Sequence, residues 1–224
     1  MAHMFSGCSS LTKLDVSGFS TSNVKGMELM FYGCSKLTEL DLGSFRTPNA
    51  NTMESMFSSC TSLKSITLPD TFTTSNVLYM QNMFQNCSAL TTLDVSKFTS
   101  LNVINTSSMF EGCSVLTEID LSKFAAAKVG NMSSMFKGCA YLRTLKIPMF
   151  SISVATNISS MFANCSSLTE LNISNFSVPP TLTNTSSMFS GCIKLKTIYA
   201  SASFTGSTIT SSSSMFASCN LLVG

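Results

Sequence analysis

The sequence predicts an α/β repeat solenoid, with short parallel strands along one side and short helical or 3₁₀ segments along the other. The first observation is a Met-Phe-x-x-Cys motif that recurs nine times, with steps of 26 or 27 residues between successive cysteines. A fixed period of this length indicates one supersecondary unit stacked into a solenoid. The second observation is that the apolar residues between the motifs keep the same register. The cysteines of the nine copies are Cys8, Cys34, Cys60, Cys87, Cys113, Cys139, Cys165, Cys192 and Cys219.

A short alternating segment follows each motif and predicts the strands. In the first copy, Leu14 and Val16 alternate with Lys13, Asp15 and Ser17. A period of two is typical of a strand with one buried face. The pattern weakens only in the last copy, at Ile198/Ala200. The same alternation predicts strands at Leu40/Leu42, Ile66/Leu68, Leu93/Val95, Ile119/Leu121, Leu145/Ile147 and Leu171/Ile173.

A second periodic segment precedes each cysteine and predicts the helical side. Val24, Met27, Met30, Phe31 and Cys34 are spaced to line one face of a short helix. The Gly or Asn that often precedes the cysteine suits the left-handed position that ends a helix. Ser and Thr within the segment are poor helix formers, so we expect one or two turns, some of them 3₁₀. A β-helix is the alternative fold, and this weak helix propensity favours it.

The repeat also predicts the domain organisation and the core. We expect one domain over residues 4–224, with about eight full repeats and a terminal half repeat, and we interpret residues 1–3 as an expression remnant. The Met and Phe columns are interpreted as core rather than as a binding groove. The cysteines share one column, so their Cβ vectors run parallel and disulfides are disfavoured. We therefore expect reduced, buried thiols that act as small apolar side chains.

Composition argues against several classes of function. The net charge is +2 and charged residues make up 11% of the chain, which predicts no nucleic-acid partner. No apolar run approaches the roughly 18–20 residues of a membrane span, and the residues given lead us to expect no signal peptide. The single histidine, His3, lies in the presumed remnant. We find no catalytic set, no metal-ligand spacing and no phosphate-binding loop, so we expect neither an enzyme nor a cofactor.

The outward face of the strands is the candidate binding surface. Neighbouring parallel strands lie about 4.8 Å apart, so Asp94 and Asp120 stack as like charges, as do Asp15 and Asp41. Such stacking costs stability, and it is tolerated where water screens it or where the face meets a cation or a basic partner. A solvated face with a repeat-consensus Asp remains the simpler interpretation. The candidate ligand-binding residues are Asp15, Glu39, Asp41, Asp94, Glu118, Asp120, Lys146 and Tyr199.

The repeat resembles the BspA-like leucine-rich repeats. The resemblance is carried by the run from Met30-Phe31-x-Gly33-Cys34 to Leu40-Asp41-Leu42 and by Thr21-Ser22-Asn23-Val24, and it extends over residues 4–224. It implies a right-handed leucine-rich-repeat solenoid with the parallel sheet on the concave face and the helical segments on the convex face. It also implies a cell-surface or secreted protein, often concerned with adhesion to host, matrix or other cells. The family has no catalytic residues to carry over.

Three functions remain open at this stage. The first is adhesion or recognition, with the concave face presented to an extracellular protein or glycan. The second is a structural array, because open ends at Met4 and Gly224 would permit head-to-tail self-association. The third, binding to ice or another lattice through Ser/Thr columns, is disfavoured because the strands lack a strict Thr-x-Thr pattern.

Overall fold

The computed structural model describes residues 1–202, 204–206 and 208–223. Each repeat forms one coil, and successive coils stack through backbone hydrogen bonds. The strands are short and pair in parallel as β1–β2, β3–β4 and β5–β6. In the register of β3 and β4, Glu118 lies opposite Thr144 and Asp120 opposite Lys146. The six strands are β1 (Glu39–Asp41), β2 (Ser65–Thr67), β3 (Glu118–Asp120), β4 (Thr144–Lys146), β5 (Glu170–Ile173) and β6 (Thr197–Ala200).

Three of the strand predictions need correction. Residues 14–16 and 93–95 form no strand, and Thr92 makes only a single bridge to Ser65. The expected weakening at Ile198/Ala200 is wrong, because β6 pairs with β5 over four residues. Alternation correctly marks Val16 and Val95 as buried, whereas Ala200 is exposed, so strand pairing depends also on the side chains of the neighbouring coil.

The charge of the facing side chains accounts for two of the missing pairings. Asp41 lies opposite Thr67 and Asp120 opposite Lys146, and both of these strand pairs form. In the coil before β1, Asp15 occupies the position that faces Asp41, and in the coil before β3, Asp94 occupies the position that faces Asp120. Neither of these two coils forms a strand ladder with β1 or β3. Like charges directly opposite each other destabilise strand pairing.

The segments predicted to be helical are consecutive β-turns, and the described residues contain no helix. In the second coil the Met30 N–H donates to Met27 O at 3.4 Å, and the Cys34 N–H donates to Phe31 O at 3.2 Å. Alternate N–H groups leave the coil instead: that of Phe31 donates to Met56 O at 2.9 Å and that of Gly33 to Ser58 O at 2.8 Å. The helical prediction is therefore wrong, although the apolar spacing that suggested it does mark the buried residues.

Left-handed residues explain why the turns cannot continue as a helix. Leu29 has φ 53° and Gly33 has φ 69°, so each segment contains two positive-φ positions. A positive φ at the third residue is what a type II turn requires, and it interrupts helical geometry. Ser, Asn and Gly occupy most of these positions in the other coils, at 55, 59, 82, 86, 108, 112, 134, 138, 160, 164, 187, 191, 214 and 218.

We call the surface formed by these turn segments the turn face, and its backbone ladder is continuous. Single parallel bridges link one coil to the next along it. Backbone N–H groups of each turn segment add further bonds to the following coil. The turn face therefore joins all the coils, whereas the strand side is divided into pairs. The bridged residues are Gly26, Thr52, Tyr79, Asn105, Asn131, Asn157, Asn184 and Ser211.

The core consists of stacked columns, as the sequence predicts. The phenylalanines of the Met-Phe motif form one unbroken stack, with ring centroids 5.3–5.7 Å apart and planes within 2–10° of parallel. Met, Leu and a second Phe column fill the rest of the buried volume. The stacked rings are Phe5, Phe31, Phe57, Phe84, Phe110, Phe136, Phe162, Phe189 and Phe216.

The cysteine column has a second role that the sequence did not reveal. All nine thiols are free, and those from Cys34 to Cys192 are buried. The Cys113 Sγ donates to Phe84 O at 3.1 Å, one coil back. That carbonyl also accepts the N–H of Cys87 at 3.1 Å. The prediction of apolar thiols is therefore incomplete, because each buried thiol also donates a hydrogen bond that joins two coils.

We predict steep alkaline denaturation from the thiol column. Burial, followed by the charge of neighbouring thiolates, raises the pKa of Cys60 to about 12 from 9.0. Burial likewise raises the pKa of Cys113 to about 12. Below pH 9 these thiols are protonated in both the folded and the unfolded chain, so their contribution to stability is fully present. Between pH 9 and 12 only the unfolded chain ionises, so the free energy of unfolding falls by about 1.4 kcal/mol per pH unit for each thiol.

Urea unfolding under reducing conditions, measured across pH 8–11, checks this expectation. The control is a variant with Cys113, Cys139 and Cys165 replaced by Ala, in which Lys, Arg and Tyr ionise as in the parent. We expect a shallower pH dependence in the variant. Equal slopes in the two proteins would contradict the predicted role of the thiols.

We also predict that charge reversal at Asp94 closes one gap in strand pairing. In Asp94→Lys a cation would face Asp120, as Lys146 does in the β3–β4 pair. The amides of residues 117–120 should then exchange more slowly in hydrogen–deuterium exchange. Asp94→Asn, which removes repulsion without adding attraction, should give an intermediate rate. Unchanged exchange in a folded Asp94→Lys protein would show that like charges do not cause the gap.

Candidate functional site

The strand face, meaning the outward side chains of the strands and of residues 13–17 and 92–96, contains three clefts. Each lies where successive coils lack a strand ladder. The Asp15 cleft has a volume of about 380 Å³ and is lined by Asp15, Ser17, Asp41, Gly43 and Ser44, with Leu14 and Val16. The Asp94 cleft, also about 380 Å³, is lined by Thr91, Thr92, Leu93, Asp94, Ser96, Thr117, Glu118 and Asp120. The Lys146 cleft, about 410 Å³, is lined by Ser122, Leu145, Lys146, Ile147, Pro148, Asn172, Ser174 and Asn175.

The aspartates of the first two clefts are held in place by the residue two positions further on. The Asp15 Oδ1 accepts the Ser17 N–H at 2.9 Å, and the Asp94 Oδ1 accepts the Ser96 N–H at 3.0 Å. The hydrogen bond from the Ser17 backbone lowers the pKa of Asp15. The Ser96 hydroxyl and then its N–H lower the pKa of Asp94, although partial burial and, less strongly, nearby Asp120 oppose this shift. Both clefts therefore carry negative charge at neutral pH.

The Lys146 cleft differs in charge and in chemistry. The Lys146 Nζ lies 2.6 Å from Glu118 Oε1 and 3.4 Å from Asp120 Oδ2, so the ammonium is held toward β3. The hydrogen bond that Lys146 donates to Glu118 is the main cause of its raised pKa. Across the gap, the Asn172 Oδ1 accepts the Ser174 N–H at 3.0 Å. No carboxylate lines this cleft.

Asn175 also lines this cleft. Its Nδ2 donates to Ile147 O at 3.3 Å and also to Phe150 O. These bonds join the coils that contain β4 and β5, which lack a strand ladder between them. The gap at Lys146 is therefore bridged by a side-chain amide.

The structure distributes the predicted site residues over the three clefts. Six of the eight line a cleft, whereas Glu39 and Tyr199 are exposed on β1 and β6 and line none. The sequence analysis missed Asn172 and Ser174. Their positions in the repeat could have identified them. Asn172 occupies the same column as Asp120, and a Ser follows two residues later in both copies.

The chemistry available on this face is hydrogen bonding and ion pairing. Among the described residues, no three His, Cys, Asp or Glu side chains converge in a way that could hold a metal ion. The described chain also contains no helix long and apolar enough to span a membrane. What the clefts offer is ionised carboxylates, one ammonium, amides and hydroxyls on a rigid scaffold.

Comparison with solved structures shows the leucine-rich-repeat fold. A leucine-rich-repeat protein from Bacteroides ovatus aligns with a TM-score of 0.52 at 20% identity, over 79% of this chain and 40% of that protein. A leucine-rich cell-surface protein from Faecalibacterium prausnitzii aligns with a TM-score of 0.42 at 20% identity, over 99% and 67% of the two chains. The chain thus spans 40% of the length of the Bacteroides protein.

Comparison by sequence shows the family. Among curated proteins, none matches this chain. One family model matches repeatedly along the whole array, at residues 1–70, 39–145, 66–176 and 105–223. Overlapping matches of this kind are expected when a model spans several repeats. The chain belongs to that family, which is described as "Mycoplasma protein of unknown function, DUF285".

Proposed function

We propose that this chain is a non-enzymatic recognition module that binds an extracellular protein or glycan through its strand face. The observation that carries the proposal is the division of that face into three polar clefts. The turn face joins the coils without interruption, so the strand face is not needed to hold every coil to the next. Repeat solenoids commonly use one extended surface for binding.

The leucine-rich-repeat fold supports a binding role, since it supplies a rigid surface on which side chains vary from coil to coil. Along the strand face the outward column runs from aspartates through Lys146 and Asn172 to Tyr199. A surface serving only to stack coils would not require such variety. The resemblance to BspA-like repeats supports a cell-surface or secreted location, a right-handed coil and a concave strand face.

Biolayer interferometry against extracellular-matrix proteins, mucins and glycans at physiological salt tests the proposal. We expect the Asp94→Lys/Asp120→Lys variant to bind at least tenfold more weakly, a loss of about 1.4 kcal/mol. The control is Glu54→Lys/Asp70→Lys, which changes net charge equally but leaves the strand face intact. Equal losses in both variants would indicate a general charge effect and would contradict binding at the strand face.

Self-association is the second candidate, and the terminal coils of the described chain favour it. Phe31 stacks on a ring of the Met-Phe column at either side, whereas Phe216 stacks only on Phe189. Met4 and Phe216 are each 47% exposed. These are the apolar faces that a second copy would cover. Gly224, named above as one end, lies outside the described residues.

Sedimentation velocity over a range of concentrations tests this candidate. We expect oligomers that grow with concentration and that disappear in Phe216→Lys, because a charge would then have to be buried between copies. Tyr141→Lys is the control, since Tyr141 is also exposed (57%) but lies within the array. A parent chain that stays monomeric at every concentration would contradict self-association.

A further inference from the structure

We propose that the Lys146 cleft is a binding site for a neutral oligosaccharide. The inference rests on the proposed recognition function and specifies its site and its ligand class. It is carried by three features of the cleft: a fixed width, uncommitted neutral hydrogen-bonding groups, and a single lining cation that is already paired.

The width of the cleft is fixed by contacts between the same two coils on the turn face and in the core. On the turn face the same two coils are bridged at Asn131 and Asn157, and the rings of Phe136 and Phe162 lie 5.6 Å apart. β4 and β5 therefore cannot separate far enough to admit a further strand, which excludes the strand addition used by many peptide-binding domains. The remaining space, about 410 Å³, falls in the range of small-molecule sites.

The hydrogen-bonding groups of the cleft are matched to hydroxyls. Asn172 uses its Oδ1 for the Ser174 N–H, and Asn175 uses its Nδ2 for backbone oxygens. Within the described part of the chain, the Asn172 Nδ2, the Asn175 Oδ1 and the Ser174 Oγ bond to no protein atom. The cleft thus presents an amide donor, an amide acceptor and a hydroxyl. Sugar hydroxyls both donate and accept, so adjacent hydroxyls of one ring can satisfy such a mixed set.

The lining of the cleft offers no unpaired cation to an acidic glycan. Lys146 is the one charged residue that lines it, and its ammonium is already paired with Glu118 and Asp120. An acidic sugar would have to compete with these two carboxylates for the ammonium. A neutral sugar requires no such exchange.

An exposed ring beside the cleft extends the site beyond one sugar. Tyr199 lies opposite Asn172 in the β5–β6 pair, and its side chain is 52% exposed. Paired strands lie about 4.8 Å apart, so the ring adjoins the cleft on the side away from Lys146. An exposed aromatic ring offers an apolar face to the C–H groups of a sugar. We therefore assign the site to an oligosaccharide that runs across β4, β5 and β6.

Isothermal titration calorimetry with cellohexaose, chitohexaose, maltohexaose and mannohexaose tests the inference. We expect at least one to bind, and Asn172→Asp and Tyr199→Ala each to weaken that binding tenfold or more. Asn172→Asp retains the oxygen that accepts from Ser174 but replaces the free Nδ2 donor. Tyr141→Ala, which removes an exposed ring outside the strand face, is the matched control and should bind like the parent. Urea midpoints establish that all variants are folded.

Sialyllactose and a lysine-rich peptide complete the set of ligands. Binding of either in preference to all four neutral glycans would overturn the inference, as would no glycan binding at all. Glycan binding that both Asn172→Asp and Tyr199→Ala retain would also overturn it. These results would overturn the oligosaccharide site alone if the matrix and mucin measurements still show binding that depends on Asp94 and Asp120. If those measurements show no such binding, the oligosaccharide site and the recognition function are both contradicted.

Discussion

The coil-to-coil hydrogen bonding of the turn face is the constraint on which the rest of the structure depends. Every second N–H of a turn segment donates to the following coil, and the alternate ones close β-turns within the coil. A helix would make these hydrogen bonds within its own coil, and only side chains would then join neighbouring coils. Because the backbone makes the contact, the coils are held at close to strand spacing, and the rings of one column stack 5.3–5.7 Å apart.

The thiol column follows from the same spacing. A carbonyl such as Phe84 O accepts one bond from its own coil and has a second lone pair facing the next one. The Cys113 Sγ donates to it at 3.1 Å. Serine could donate as well, but a buried hydroxyl costs more to remove from water than a thiol does. Cysteine is therefore the residue that combines apolar packing with a weak donor at this position.

The continuous turn face permits the strand face to carry unfavourable charge. Aspartates stacked at successive positions oppose strand pairing, and the ladder is missing at those places. The coils stay together because their backbone bonds on the other side persist. Clefts lined by polar groups are the structural result, and they differ from one another because the side chains of the outward column differ.

The sequence by itself determined the repeat, its register, the buried columns and the outward column from Asp15 to Tyr199. These follow from periodicity, because each copy faces the same environment and so shows the same pattern of apolar residues. Only the tertiary structure decided that the Met-Phe segments are turns and that Asn172 and Asn175 meet Lys146 across a gap. Apolar residues at helical spacing are buried equally well by consecutive turns. The choice between the two was made by hydrogen bonds to a coil 25–27 residues away, a distance at which local propensity carries no information.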